Sequence, residues 1–312
     1  MNKPIKERII TKENDILICA RNGSQRLIGK NAIIKKEDVN NTFGAFMMVY
    51  RSKDNPFILP LLSTKRYFSQ VGENLGARIN QITTSDFNGF DFYFPNSHIE
   101  RTKIAELFRL IDERIATQNK IREDLKKLKS AIYQEIFGSL VAQTLELGQV
   151  AEIIKGKQVN GTELLEQGEY YVMNGGTTPS GWLNRYNTEA NTISISEGGN
   201  SCGYVQYNTS RYWSGGHCYS LRILHPQETL DLYLYHFLKW QEDNIMALRI
   251  GSGLPNIQKK DLLRFPVILP TITQQNEIVL ILSTIEEKVS CEISITQYFV
   301  KQKEYLLSQL FI

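Results

Sequence analysis

Residues Ile99–Phe137 read IERTKIAELFRLIDERIATQNKIREDLKKLKSAIYQEIF and contain neither Gly nor Pro. Steps of seven residues predict the two rows of a coiled-coil seam with three polar interruptions. One row is Ile104, Ile111, Gln118, Leu125 and Ile132, and the other is Leu107, Arg114, Ile121, Leu128 and Glu135. We expect one helix of about 36 residues, about 54 Å long, capped near Thr102 and stopped by Gly138. A lone helix of this length cannot bury its seam, so it needs a partner.

A second stretch with the same register lies 174 positions further along the chain. Residues 277–311 read EIVLILSTIEEKVSCEISITQYFVKQKEYLLSQLF, and Ile278, Leu282 and Phe311 align with Ile104, Phe108 and Phe137. Its seven-residue rows are Ile278, Ile285, Glu292, Phe299 and Leu306, and Ile281, Lys288, Ile295, Gln302 and Gln309. The shared register predicts an internal repeat in which the two helices pack on each other as a spacer. Two ordinary amphipathic helices on separate cores are the alternative.

Composition sets the class of protein without naming its function. The chain has 312 residues, 42% hydrophobic and 22% charged, which suits about two globular domains. A net charge of +3 is compatible with nucleic-acid binding but does not establish it. The polar start and the lack of a long apolar run favour a cytoplasmic protein. The four cysteines form no CxxC pair, and Cys202, His217 and Cys218 lack the spacing of a zinc site.

The two long helices divide the chain into four segments. Residues 1–98 predict a strand-rich globule, with strands at 15–20, 32–34 and 87–94, and residues 99–138 form the first helix. Residues 139–272 form a second globule and residues 273–312 the second helix.

The two globules share matched motifs. TISISE (residues 192–197) followed by GGNSCG matches DILICA (residues 15–20) followed by RNGS, and GSGLPNIQKKD from Gly251 matches GARINQITTSD from Gly76. The second globule opens with about thirty residues that have no counterpart in the first, so the first looks truncated at its start. The expected fold class is α+β.

Motifs of catalysis are missing from the sequence. It lacks HExxH, a nucleophile elbow and a dinucleotide fingerprint. Gly23–Lys30 fails the spacing of a phosphate loop, and Asn55-Pro56-Phe57 lacks the second proline of the adenine methyltransferase motif, so we interpret it as a turn. The four histidines stand apart from obvious acid partners. We therefore expect no catalysis by this chain alone.

Several loops combine glycine with side chains that bind nucleic acid. RNGSQR, MNGGTTPSGWLNRYN, SEGGNSCGYVQYN, SRYWSGGHCYS and GSGLPN carry Asn, Ser, Thr, Gln and Arg, which hydrogen-bond base edges and phosphates, together with Tyr and Trp. They predict a DNA-reading surface. Taken singly, each loop is better explained as a hairpin turn of a strand-rich domain.

The sequence resembles the specificity subunits of type I restriction-modification systems. The similarity is carried by MNGGTTPSGW (Met173–Trp182), NTISISEGGNSCGYV (Asn191–Val205), WSGGHCYSL (Trp213–Leu221), GSGLPNIQKKDL (Gly251–Leu262) and the helix endings KSAIYQEIF and YLLSQLF. It covers nearly the whole chain. The resemblance implies two target-recognition domains separated by two antiparallel helices, each domain reading one half of a split DNA sequence.

The same resemblance implies partners and a division of labour. Two modification subunits would bring S-adenosylmethionine and methylate adenine N6, and restriction subunits would use ATP and Mg for translocation and cleavage. This chain would recognise double-stranded DNA without performing chemistry, and a second partial specificity chain is a further expected partner. A coiled-coil scaffold that reads no DNA, an inactive remnant and a self-sufficient DNA enzyme are the competing functions.

Loop chemistry selects candidate DNA contacts in both globules. In the first globule they are Arg21, Asn22, Ser24, Arg26 and Lys30. In the second they are Lys155, Lys157, Asn174, Thr177, Thr178, Ser180, Asn200, Ser201 and Arg211. The basic residues are expected on phosphates, and no residue is expected to be catalytic or to bind a cofactor or metal.

Overall fold

The computed structural model describes residues 7–75, 80–251, 253 and 255–311. Its contacts separate two units: unit 1 holds residues 1–122 and 291–312, and unit 2 holds residues 123–290. The boundary passes through both long helices, so each unit contains part of each. The predicted domain borders at residues 98, 138 and 272 therefore stay predictions.

Unit 1 begins with a small antiparallel sheet. Strands β1 (Ile16–Cys19), β2 (Asn31–Ile33) and β3 (Met47–Tyr50) lie in the order β2-β1-β3, with Ile16 opposite both Ile33 and Tyr50. The helices that follow are α1 (Asn55–Leu61), α2 (Lys65–Leu75), α3 (Thr84–Asn88) and the long α4 (His98–Gly138).

Unit 2 is built on a larger sheet. Its elements are β4 (Gln143–Glu146), α5 (Leu147–Val150), β5 (Ala151–Lys155), β6 (Tyr170–Met173), β7 (Trp182–Leu183), β8 (Thr192–Ser196), β9 (Val205–Asn208), β10 (Trp213–Ser214), β11 (Cys218–Ile223), α6 (Asp231–Trp240), α7 (Glu242–Met246), α8 (Lys259–Leu263), β12 (Pro266–Leu269) and α9 (Ile272–Leu310). The main sheet has the antiparallel order β5-β11-β8-β9, β12 pairs with β4, and β6 lies between β10 and β7. This mixture of helices and short strands is the α+β class predicted.

The long helices enter the core of each unit in the same way. In unit 1, Ile104 and Phe108 of α4 join Leu307 of α9 and the adjoining Phe311 in the main apolar cluster. In unit 2 the matching positions of the repeat, Ile278, Leu282, Tyr133 and Phe137, join the other main cluster. Each core thus takes the start of one long helix and the end of the other, which confirms the internal repeat.

One row of the predicted coiled-coil seam is wrong by one residue. The row that starts at Ile104 is buried or half-buried, but Leu107, Ile121 and Leu128 are 39%, 37% and 50% exposed. The second row that faces inward starts four residues after Ile104, whereas the predicted second row starts three residues after it. Its members are Phe108, Ile115, Arg122, Lys129 and Ile136. Leu107 and Phe108 are both apolar, and packing of the Phe108 ring at 5.9 Å from that of Phe311 selects the later row.

Positive backbone angles recur at matched positions of the two units. Asn14 and Asn191 have φ of 65° and 57°, just before β1 and β8. Gly29 and Gly203 have φ of 81° and 93°, and a Cβ on Gly203 would meet the backbone of Met246. The left-handed region explains why Gly stands at both of the latter positions.

Three local predictions fail for identifiable reasons. Residues 87–94 form no strand, because Phe87 and Asn88 belong to α3, which a capping box of Thr83 and Asp86 starts, and no described strand pairs with residues 90–94. Thr102 does not cap α4, which begins at His98, and its hydroxyl donates to the His98 carbonyl inside the helix. Asn55 starts α1 instead of forming a turn, and its buried Nδ2 donates to the carbonyls of Asn14 and Tyr50.

Part of the matched loop segments lies outside the described residues, namely residues 76–79, Ser252 and Leu254. No helix in the described chain is long and apolar enough to span a membrane.

Candidate nucleic-acid interface

In unit 2 several glycine-rich loops converge. Glu197 N donates to the His217 carbonyl at 2.9 Å, Ser196 Oγ donates to the Gly175 carbonyl at 2.7 Å, and Gly199 N donates to the Pro255 carbonyl at 3.0 Å. These bonds join loops that are far apart in sequence. We call the assembly the unit 2 loop cluster, comprising residues 155–158, 174–178, 197–203, 214–217 and 255–257.

Two candidate residues of this cluster also hold it together. Asn174 Oδ1 accepts from His217 N at 3.1 Å, so part of its side chain is used inside the protein. Lys155 Nζ pairs with Glu197 Oε1 at 2.7 Å, and the Tyr219 hydroxyl donates to the same oxygen at 3.0 Å. Burial, with the nearby carboxylate, raises the pKa of Tyr219 and keeps it a donor. The charge of Lys155 is therefore partly compensated, although the side chain is 56% exposed.

The remaining candidates of unit 2 differ in their solvent exposure. Lys157, Thr177, Thr178, Ser180 and Asn200 are exposed and Ser201 is half-buried. Lys157 is anchored by its backbone, whose carbonyl accepts from Trp213 Nε1 at 2.9 Å. The cluster thus brings together Lys155, Lys157, Asn174, Thr177, Thr178, Asn200 and Ser201.

Arg211 belongs to a different surface. It pairs with Glu189 at 2.9 Å, which raises the pKa of the guanidinium, and it lies 4.7 Å from the centre of the Tyr186 ring. Ser180 N donates to the Val172 carbonyl beside β6. The described contacts of these two candidates do not include the loop cluster.

Unit 1 has a smaller cluster at the matched position. Arg21 forms a backbone bridge with Gln81, as Gly198 does with Asn256 in unit 2. Asn22 N donates to the Asn80 carbonyl at 3.3 Å, and Asn80 Nδ2 donates to the Gly23 carbonyl at 3.0 Å. We call residues 21–24, 46 and 80–81 the unit 1 loop cluster. It borders an open cavity of about 420 Å³.

The basic residues of unit 1 are exposed and available. The Arg21 guanidinium lies 5.5 Å from the centre of the Phe46 ring. Ser24, Arg26 and Lys30 are exposed, and Ser24 N donates to Asn22 Oδ1 at 3.0 Å. Within the described ranges, no ion pair joins Arg21, Arg26 or Lys30 to a carboxylate, and the same holds for Lys157. These four cations can therefore meet phosphates without first breaking an ion pair within the described residues.

Sequence reasoning missed three residues of these clusters. Phe46, 59% exposed beside Arg21, lies outside the loops selected from the sequence. Gln81 and Asn256 lie opposite Arg21 and Gly198 and add amide groups to the two surfaces. The signal for the pair was present, because Gln81 and Asn256 share the 175-residue offset of the matched loops.

The groups that could perform catalysis are dispersed or buried. Across the described parts of the chain, no three His, Cys, Asp or Glu side chains are grouped to hold a metal ion. Burial raises the pKa of Cys218 to about 11, which keeps its thiol protonated at neutral pH. His236 is fully buried and bonded to Tyr133. The exposed groups of the loop clusters are hydrogen-bonding and basic side chains, whose chemistry suits recognition.

Comparison with known proteins defines the class. Residues 142–297, half of the chain, match the family described as type I restriction modification DNA specificity domain. The chain belongs to this family, and the resemblance inferred from its motifs is confirmed.

Two relatives carry related names. The chain is 36% identical over 144 residues to the putative type I specificity subunit S.MpnORF638P of Mycoplasma pneumoniae, covering 46% of this chain and 38% of that protein. It is 32% identical over 164 residues to the putative type I specificity subunit S.MgeORF438P of Mycoplasma genitalium, covering 51% and 42%. The matched part spans about two fifths of the length of these relatives.

Solved structures share the fold. The S subunit of a type I restriction-modification system from M. genitalium superimposes with a TM-score of 0.71 and 20% identity, over 97% of this chain and 84% of that one. A chain from a structure on assembly and conformational transition of the type I R-M system gives 0.59 and 16%, over 96% and 82%. The predicted fold class is therefore confirmed.

Proposed function

We propose that this chain is the DNA-specificity subunit of a type I restriction-modification complex, in which each unit reads one half of a split target. The observation that carries this proposal is the repeated loop cluster. Backbone bridges join Arg21 to Gln81 in unit 1 and Gly198 to Asn256 in unit 2, at the same point of the repeat. Family membership supplies the functional class.

The two kinds of exposed side chain have separate tasks in this proposal. Arg26, Lys30 and Lys157 contact phosphates, because they are exposed and their charges are not compensated within the described residues. Asn22, Asn200 and Ser201 read base edges, since they lie on the two loop clusters and carry hydrogen-bond donors and acceptors. Phosphate contacts fix the register and base contacts provide the sequence preference.

The partner subunits dock on the outward face of the long helices. On the part of α4 in unit 1, Leu107, Leu110 and Ile121 are 37% to 52% exposed. A repeated row of exposed leucine and isoleucine is typical of a surface that a partner helix covers. We assign it to the modification subunits. The modification subunits bind S-adenosylmethionine, and the restriction subunits bind ATP and Mg. This chain is a non-catalytic recognition subunit in the cytoplasm.

A retention assay with purified proteins tests the proposal. The chain is combined with its modification subunit and passed over double-stranded DNA fragments from the host genome, at fixed salt. A recognition subunit retains a subset of fragments that share a split sequence, and the modification subunit alone retains none of that subset. A complex that assembles yet shows no sequence preference would identify a scaffold. Methyl transfer by the chain without its partner would identify a self-sufficient enzyme.

A further inference from the structure

Unit 1 contains an open groove lined by aromatic rings. Its volume is about 230 Å³, and its walls combine the Asp54–Arg101 ion pair with the aromatic rings of Tyr50, Phe57, Phe87, Phe90, Phe92 and Phe94. Phe94 is 53% exposed, and Phe90 and Phe92 are only half-buried. Aromatic side chains in a small unit normally lie under a covering segment, since their burial is a main source of stability.

Unit 2 shows what covers the equivalent place. Phe265 and Val267, the repeat partners of Phe90 and Phe92, are 6% and 0% exposed. They are covered by residues 143–155, in which β4 pairs with β12 and Leu147 N donates to the Phe265 carbonyl at 2.8 Å. Leu147 is fully buried and Val150 is 3% exposed in the same core.

The sheets differ at the same point. Through their pairing with β1 and β8, Tyr50 of β3 corresponds to Leu221 of β11. In unit 2 the far edge of β11 is paired with β5, whose Ile153 is opposite Leu221. Among the described residues, β3 pairs only with β1, so its other edge offers backbone groups to an incoming strand.

We propose that the aromatic groove and the free edge of β3 bind a peptide segment with the chemistry of residues 143–155. That segment is strand, tight turn and strand, with apolar residues spaced as Leu145, Leu147, Val150 and Ile153. A second copy of this chain is a poor source, because its own segment is already buried in its unit 2. The inference rests on the two units alone and is independent of the proposed DNA reading.

A labelled synthetic peptide of residues 143–155 tests the proposal on the intact chain by fluorescence anisotropy. We expect saturable binding, with slower hydrogen exchange in Met47–Tyr50 and in residues 90–94. Phe94→Asp, at an exposed position that should not disturb folding, should weaken peptide binding at least ~10-fold. Ile250→Asp changes an apolar side chain of unit 2 that is 59% exposed, and should leave binding unchanged.

The peptide itself provides a second control. A version with Leu147→Asp and Val150→Asp should not bind, because it replaces the two apolar side chains that would pack on the rings with carboxylates that must lose their water. The proposal is overturned if the peptide fails to bind, or if Phe94→Asp binds it as the unchanged chain does. Protection confined to β11 and β12 would show exchange with the native segment of unit 2 instead. A dimer that forms without peptide and is lost in Phe94→Asp would assign the groove to a second copy.

Discussion

Lys129 Nζ lies 2.6 Å from Glu286 Oε1 and joins α4 to α9 within unit 2. Unit 1 contains the same ion pair, formed by Lys303 and Asp112 at 2.5 Å. Lys303 is 174 positions from Lys129, and Glu286 is 174 positions from Asp112. The repeat therefore exchanges the roles of the two helices: the first supplies the lysine in unit 2 and the carboxylate in unit 1. In unit 1 the helix segments run antiparallel, since Phe108 lies beside Phe311 and Asp112, four residues later on α4, pairs with Lys303, eight residues earlier on α9.

Reversing one charge of the unit 2 pair should destabilise the chain. Lys129 and Glu286 are 28% and 29% exposed, so water screens their attraction only in part. We expect Lys129→Glu to lower the free energy of unfolding by about 1 to 2 kcal/mol. Adding Glu286→Lys should recover most of the loss, as measured by chemical denaturation. An equal loss in the single and double variants would mean that the pair does not stabilise the helix packing.

Unfolding of the chain should depend on pH through His236. Burial, opposed by Glu286 and assisted by Lys129, lowers the pKa of His236 to about 4 from its usual 6.5. The unfolded chain binds the proton first as pH falls, so stability is full above about 6.5 and declines toward 4. The expected loss is about 3 kcal/mol over this range. His236→Gln should remove this part of the pH dependence in denaturation curves. An unchanged dependence in that variant would assign the effect to other groups.

Two glycines of the same loop should tolerate alanine very differently. Gly203 has φ of 93°, and a Cβ there would lie 2.8 Å from Met246 Cα, so Gly203→Ala should cost about 3 kcal/mol. Gly199 has φ of 77° with nothing within 4 Å of a Cβ, so Gly199→Ala should cost only about 1 kcal/mol. Thermal unfolding of both variants measures the difference. Equal losses would show that contact with Met246 does not restrict the loop.

Charge reversal in both units should change DNA binding and its salt dependence. We expect Glu at Arg21, Arg26, Lys30 and Lys157 together to weaken binding and to reduce the slope of log K against log salt by about 3 to 4. A matched set on the exposed surface of α4 should leave both nearly unchanged in the chain without partners. That set is Arg109, Lys120, Lys126 and Lys127. An unchanged affinity and slope in the first variant would contradict the phosphate assignment.

Much of the architecture follows from spacing in the sequence. The offset of 174 between Ile104 and Ile278 predicts the repeat, because matched positions in a repeated unit face the same environment. The same rule pairs the loop after β1 with the loop after β8. The sequence predicts the end of α4 to within one residue, because the predicted helix ends at Phe137 and α4 ends at Gly138.

The remaining errors come from tertiary contacts. Lys129 is charged, so no apolar pattern places it in the seam, yet its stem packs there while its ammonium group reaches Glu286. Alternating aromatics in residues 87–94 suggest a strand, but β12 is a strand because β4 pairs with it, and no described residue plays that part in unit 1. The pairing of Lys155 with Glu197 and of Arg211 with Glu189 likewise depends on folded geometry, so sequence alone overestimates how free these two cations are.

The most direct test of DNA reading by both units is a genome-wide map of N6-methyladenine by single-molecule sequencing. A strain expressing this chain with its cognate modification subunit is compared with a strain that lacks only this chain. We predict a split, asymmetric motif that is lost with the chain, and substitution of Asn22 and Arg21 should alter one half of it. A split palindromic motif would mean that unit 2 alone reads DNA in a two-chain assembly. Identical methylation in the two strains would contradict the proposed function.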